Sequence, residues 1–440
     1  MREAEGIGSV RLLRIIYAEM RMPTRNLRRL FILLYTLVIS WQASLAQSDR
    51  HGFYFTHHRT HARIPFQFRS NLIIVPVCLN GRDEAHFIID TGVSHTIVTD
   101  VRIFQHHPFV SSRTIKMTGV GEGNTLLASI AINNSISLGS LRIDHHPLVV
   151  LNEDVLNLSE YAGVPIQGII GYELFANLVV TIDFQRQVLV LNQPETYRYR
   201  PAKGKQYPIY VQDYKAYTDA LSVADGDQVM PLRMLLDTGA GQALLLDRFR
   251  AGAAIPMPAK VVRVSLGRGL NGLINGYLGR LPTVRFGQYT LSNVLVSYPD
   301  SADFGRKLTS MVQREGNVGC ELLRRFRVTL NYSAGYMVLK PVRSVMREPF
   351  KHDMSGLELR ARGNQLSHYI IAEVVAHSPA ERAGLQVGDE LLAINDNPTS
   401  TLTMGAICEM LQADEGKPIS VIVRRQNQLL VCQFALQRLI

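Results

Sequence analysis

Phe87-Ile88-Ile89-Asp90-Thr91-Gly92 and Met234-Leu235-Leu236-Asp237-Thr238-Gly239 are the two stretches that decide how this chain is read. They lie 147 residues apart, and the spacing continues downstream. Gly119-Val120-Gly121 matches Gly267-Arg268-Gly269 at an offset of 148, as Leu138-Gly139 matches Phe286-Gly287. Gly171-Tyr172-Glu173-Leu174 matches Gly319-Cys320-Glu321-Leu322, and Val180-Thr181-Ile182-Asp183-Phe184 matches Val328-Thr329-Leu330-Asn331-Tyr332, again at 148. Anchors that hold one register imply two homologous lobes in tandem. Short Val/Ile/Leu runs bounded by Gly, Pro or Asn, such as 72–77, 188–191 and 337–339, predict lobes that are mainly β. One short helix per lobe is expected just after Gly171 and Gly319.

A carboxylate placed after three large apolar residues is costly unless it has partners. Here Gly allows a tight turn, and backbone N–H groups with a Thr hydroxyl can hold the charge. If the lobes pack about a pseudo-twofold axis, Asp90 and Asp237 meet. Two carboxyls that close cannot both ionise and must share a proton. One then serves as general base on a water while the other polarises a peptide carbonyl. A single Asp-Thr-Gly would read as an ordinary turn closing a strand. Two at the repeat offset, each followed some eighty residues on by an apolar-Gly-x-Glu-Leu stretch, read as a paired acid–base site.

With these residues in view, 60–341 resembles the pepsin-type and retroviral-type aspartic proteases, in particular bacterial aspartyl proteases with two lobes in one chain. The resemblance implies an acid-protease fold and peptide-bond hydrolysis with Asp90 and Asp237 catalytic. It assigns Thr91, Gly92, Ser94, Thr238 and Gly239 to support of the dyad, Thr91 and Thr238 clasping across the lobes. Flaps over the substrate fall at Gly119, Val120, Gly121 and at Gly267, Gly269. The apolar-apolar-Gly element is intact at Ile169-Ile170-Gly171 and departs at Asn317-Val318-Gly319; Gly241 stands where a hydroxyl is expected. These departures motivate an alternative, a non-catalytic peptide-binding protein on a degenerate protease fold. Gly267-Arg268-Gly269-Leu270-Asn271-Gly272 also spells a dinucleotide fingerprint, but three glycines and a proline follow where that motif needs a helix.

From about Gly356 the pattern repeats neither lobe. Ser378-Pro379-Ala380-Glu381-Arg382-Ala383-Gly384-Leu385 predicts a short capped helix, residues 387–395 a turn and strand, and Met404, Ile407, Cys408 and Leu411 an amphipathic helix. Strands are expected at 369–375, 419–423 and 429–434. This segment resembles a PDZ domain of the bacterial envelope proteases. The resemblance implies an α+β module with a peptide-binding edge at Leu366, Ser367, His368, Tyr369, Ile370 and Ile371, open to strand addition.

The expected organisation is a signal peptide over 1–46 with an over-long start, lobe 1 over 47–200, lobe 2 over 201–345 and the PDZ-like module over 346–440. Arg25, Arg28 and Arg29 precede an apolar run at 30–41, and Ser44 and Ala46 stand before Gln47, the layout of a cleaved secretory leader. Secretion or periplasmic export is therefore expected, with membrane anchoring the alternative if the leader stays on. The leader holds seven Arg and three acidic residues, so the formal charge of +10 falls to +6 for the rest. That is no nucleic-acid footprint. The one tryptophan, Trp41, lies in the leader. Cys78, Cys320, Cys408 and Cys432 form no CxxC pair, and His51, His57, His58 and His61 have no ligand spacing. The expected partners are a peptide or unfolded protein substrate and a peptide ligand at the PDZ edge, with no metal and no cofactor.

Overall fold

The computed structural model describes residues 52–440 except 106–107, 118, 120, 122–125, 226–227, 249–254 and 301–312. The expected leader and cut site, Trp41, His51 and Val120 lie outside the described residues. The described chain is mostly strand, folded as two β lobes and a small α+β module. Among the described residues no helix is long and apolar enough to cross a membrane.

Each lobe has its own large sheet, of nine strands in lobe 1 and eight in lobe 2. A third sheet of six strands is shared between them. Its order is Lys205–Pro208, Tyr336–Pro341, Phe326–Asn331, Val179–Asp183, Val188–Asn192 and His61–Pro65. Val179–Asp183 is buried at every position, Thr181 and Asp183 included, as a strand covered on both faces is. It pairs antiparallel with Phe326–Asn331, and Thr181 faces Thr329 with their hydroxyls 2.8 Å apart. These two threonines are one repeat apart, so the pseudo-twofold axis runs between them. One hydrophobic core extends through both lobes from Phe53 to Phe350.

The expected short helices are present as Glu173–Ala176 and Cys320–Leu323. A further one, Leu158–Ala162, was not expected; five residues show too little periodicity to be seen. The fingerprint-like glycines lie in a hairpin: Val261–Gly269 pairs with Gly272–Phe286 and closes at Gly269↔Gly272.

The C-terminal module has a separate core from Met354 to Leu436. Ser378 caps helix Pro379–Arg382 by accepting the Glu381 N–H, and Thr403 caps helix Met404–Leu411 by accepting that of Ala406. Met404, Ile407 and Leu411 are buried. The module's sheet runs Leu357–Arg362, His368–Val374, Glu390–Ile394, Pro418–Arg425, Gln428–Ala435.

Candidate active site

Both aspartates are delivered by the same pairing of two parallel strands. Strand Asp83–Ile89 leads into Asp90, and strand Gly168–Ile170 runs parallel beside it with Ile169↔Ile88 in register. Strand Gln228–Leu236 leads into Asp237, and Gly316–Val318 runs parallel with Asn317↔Leu235. The Asp90 N–H donates to the Ile170 carbonyl at 2.9 Å, and the Asp237 N–H to the Val318 carbonyl at 2.9 Å. Each carboxyl therefore starts from a backbone pinned on a buried sheet, a rigid support for a reacting pair.

The turns bring the carboxyls together. A Cβ on Gly239 would lie 2.1 Å from Asp90 Oδ2, and one on Gly92 2.9 Å from Asp237 Oδ1. Only glycine lets each turn approach the other lobe's carboxyl so closely. The Gly92 N–H donates to Asp90 Oδ1 at 2.7 Å and the Gly239 N–H to Asp237 Oδ1 at 3.1 Å. Burial, then the charge of Asp237 beside it, and a hydrogen bond between the two carboxyls push Asp90 up to about 8, against the pull of the Gly92 N–H and of Lys215. At neutral pH Asp90 is the protonated member.

The threonines between them lock the turns reciprocally. Thr91 Oγ1 donates to the Leu236 carbonyl at 2.6 Å and accepts the Thr238 N–H at 3.0 Å. Thr238 Oγ1 donates to the Ile89 carbonyl at 2.8 Å and accepts the Thr91 N–H at 3.0 Å. Each buried hydroxyl thus fills a donor and an acceptor role across the lobe interface.

The surroundings differ from the sequence-based expectation at three places. Ser94 was expected to support the dyad; its hydroxyl donates instead to the Asp213 carbonyl at 3.1 Å. Gly241, where a hydroxyl was expected, packs against the other lobe, its carbonyl taking the Asn71 amide at 3.0 Å. Asn317, read as a departure, supplies the missing outer hydrogen bond: its Nδ2 donates to Asp237 Oδ2 at 2.6 Å. Its equivalent in lobe 1, Ile169, offers no donor.

The dyad opens into a cleft of about 360 Å³. Gly119, Gly267 and Gly269 line it, and Gly121 packs against Asn271 and Gly272. Two roof residues escaped the sequence reading. Asn271 Oδ1 accepts the Gly119 N–H at 2.8 Å, and Leu270 packs on the lobe 1 cluster that contains Leu72 and Ile88. The two hairpins therefore meet across the cleft that holds the dyad. Lys215, Arg268, Arg314 and Arg360 also line the cleft. Burial and then Arg314 hold Lys215 below the usual ammonium range.

The PDZ edge needs correction. Tyr369 pairs with both Ala361 and Leu391, and Ile370 with both Arg360 and Glu390, so that strand is flanked on both sides. Strand addition needs an unpaired edge. One terminal strand of the sheet is Leu357–Arg362, next to His368–Val374, and among the described residues it pairs on one side only. The loop before it is occupied by its own chain: Asp353 Oδ1 accepts the N–H groups of Ser355 at 2.9 Å, Gly356 at 2.5 Å and Leu357 at 3.2 Å.

Comparison with known proteins fits this architecture. A family model described as aspartyl protease matches residues 75–174 and 221–321, and one described as PDZ domain matches 370–425. The chain carries a duplicated, retropepsin-like aspartyl protease domain followed by a PDZ domain. Regulator of sigma-E protease RseP of Salmonella typhimurium is 33 % identical over 84 residues, 19 % of this chain and 18 % of that protein. Regulator of sigma E protease of Salmonella typhi matches to the same extent. The chain thus spans under a fifth of the length of these relatives.

Proposed function

We propose that the chain is an aspartic endopeptidase acting on peptide or unfolded protein substrates. The observation that carries this reading is the reciprocal threonine clasp holding two hydrogen-bonded carboxyls under a roof of hairpins. Asp237, with the Asn317 amide on Oδ2, is the ionised base, and Asp90 is the acid. Asp237 takes a proton from water as the water oxygen bonds to the peptide carbonyl carbon. The Asp90 proton passes to the carbonyl oxygen, giving a neutral gem-diol. The C–N bond then breaks as Asp237 protonates the nitrogen and a diol hydroxyl returns its proton to Asp90. The proton count closes with no metal or covalent intermediate in these steps.

The two departures that motivated a non-catalytic alternative offset each other, since Asn317 provides what Gly241 cannot. Activity is expected to fall as pH rises through about 8, where Asp90 loses its proton. Asp90→Asn and Asp237→Asn are each expected to lower kcat/KM on a denatured protein by roughly 10³-fold or more. A wild-type chain that leaves such substrates intact from acid to neutral pH overturns the reading. We place the protein outside the cytoplasm, secreted or periplasmic. Sequencing the N-terminus of the exported chain should find Gln47, and an intact leader would mean membrane anchoring instead.

A further inference from the structure

Strand Leu357–Arg362 presents two faces. Leu357, Leu359 and Ala361 enter the core of the PDZ domain. The alternate residues, Glu358, Arg360 and Arg362, therefore face the protease lobes. Arg362 pairs with Glu160 on the lobe 1 helix Leu158–Ala162. The Arg360 guanidinium sits over the ring of Tyr161, 5.1 Å from its centroid, and lines the same cleft as Asp90 and Asp237.

Arg360 is placed at a cost. The residue is only 8 % exposed, and Nη2 pairs with Glu358. Nη1 is buried with no hydrogen-bond partner among the described residues. A buried guanidinium left half-satisfied is destabilising unless something else uses the free donor. Among the described residues Lys215, Arg268, Arg314 and Arg360 line the cleft with the two carboxyls of the dyad, and Glu358 stands beside Arg360 and Arg268. Such a wall favours an anionic ligand and repels a cationic one.

We propose that Arg360, carried by the PDZ domain, is a specificity-determining residue of the protease cleft that donates Nη1–H to an acidic side chain of the substrate. The PDZ domain then acts as a wall of the active site as well as a separate module. Tyr161 beneath the guanidinium fixes its height by cation–π contact, and the planar fork suits a carboxylate better than an ammonium would. The inference deepens the proteolytic reading and shares its site.

The test compares matched fluorogenic peptides that carry Glu, Gln or Lys at each position flanking the scissile bond. Wild type is expected to prefer Glu over Gln at one position by about 10-fold in kcat/KM, and to disfavour Lys there. Arg360→Gln should erase the preference, bringing kcat/KM for the Glu peptide down to that for the Gln peptide within the same variant. Arg360→Glu should invert it toward Lys, and Arg360→Lys should restore part of it. Should the single variants misfold, Arg360→Gln combined with Glu358→Gln removes the ion pair as a unit and must still erase the preference. Anisotropy of the labelled peptides on the Asp90→Asn variant, with and without Arg360→Gln, measures the same selectivity without turnover. If wild type cleaves the peptides with equal efficiency for Glu and Gln everywhere, the inference is overturned and the proteolytic reading stands. If nothing is cleaved but Glu peptides bind in an Arg360-dependent way, the inference stands and the proteolytic reading falls. If there is neither cleavage nor selective binding, both fall.

Discussion

Lobe 1 and lobe 2 are near copies at the centre and different at one shell's remove. The carboxyl turns, the pinning strands and the threonine clasp correspond residue for residue at the repeat offset. Beyond them, Ile169 stands opposite Asn317 and Ser94 opposite Gly241. The difference teaches that symmetry serves geometry and asymmetry serves protonation. Two equal turns can bring two carboxyls together; only unequal neighbours decide which of them holds the proton. The largest test of the symmetric part is the clasp. Thr91→Val and Thr238→Val each strand a buried N–H and a buried carbonyl in the opposite lobe. Each should cost about 2–4 kcal/mol in denaturant unfolding. The two costs should agree closely, and Ser at either position should recover most of the loss. A large inequality would break the equivalence of the lobes.

The next effect tests the asymmetric part through stability. Asp90 binds its proton in the folded chain up to about pH 8, whereas unfolded it ionises near the ordinary carboxyl value of 3.8. Between those values the folded state holds more protons than the unfolded one, so this group makes stability fall as pH rises. Asp90→Asn removes the effect. Its melting temperature is expected to exceed that of wild type by several degrees at pH 8 and by much less at pH 4. Equal differences at both pH values would place the shared proton elsewhere.

How far the sequence carried this comparison follows from the range of each interaction. The repeat, the paired triplets, the helix caps and the helix at Met404–Leu411 are local patterns, and the residues announce them. Asn317 is visible as a departure, but its donation to Asp237 depends on strand Gly316–Val318 lying parallel to Gln228–Leu236, a pairing about eighty residues apart. Leu270 and Asn271 sit at a hairpin tip that any turn-forming sequence could occupy. They matter because that tip crosses to the other lobe. The PDZ edge was misplaced for the same reason. Local composition marks 369–375 as a strand, yet only the pairings to Leu357–Arg362 and Glu390–Ile394 reveal that both its edges are taken. Arg360 looks like a surface residue of a strand until the lobes are placed against it.

Asn317→Ile sharpens the comparison by giving lobe 2 the residue of lobe 1. It deletes one amide donor to Asp237 and puts an apolar side chain in a buried position. With that donor gone Asp237 Oδ2 loses the bond that orients the base, so kcat/KM on a denatured protein should fall by about 10-fold while the alkaline limb set by Asp90 stays in place. An unchanged kcat/KM would mean that the amide plays no part in holding the base.

The smallest expected effect lies at the rim, where the lobes differ again. Lobe 1 meets the PDZ domain through the Glu160–Arg362 ion pair, and lobe 2 through the Ser265 N–H, which reaches the Glu373 carboxylate at 3.3 Å. The arginine of the first contact is more than half exposed, with 57 % of its side-chain surface open to solvent. Exposed pairs contribute little because water and salt screen them and two long side chains must be ordered. Glu160→Gln is therefore expected to change unfolding free energy by under about 1 kcal/mol, and the change should vanish at high salt. The same variant should leave peptide selectivity intact, since Arg360 is held by Glu358 and Tyr161. A loss of Glu-peptide preference in Glu160→Gln would show that the rim contact, as well as the buried residues behind it, seats the PDZ strand against the cleft.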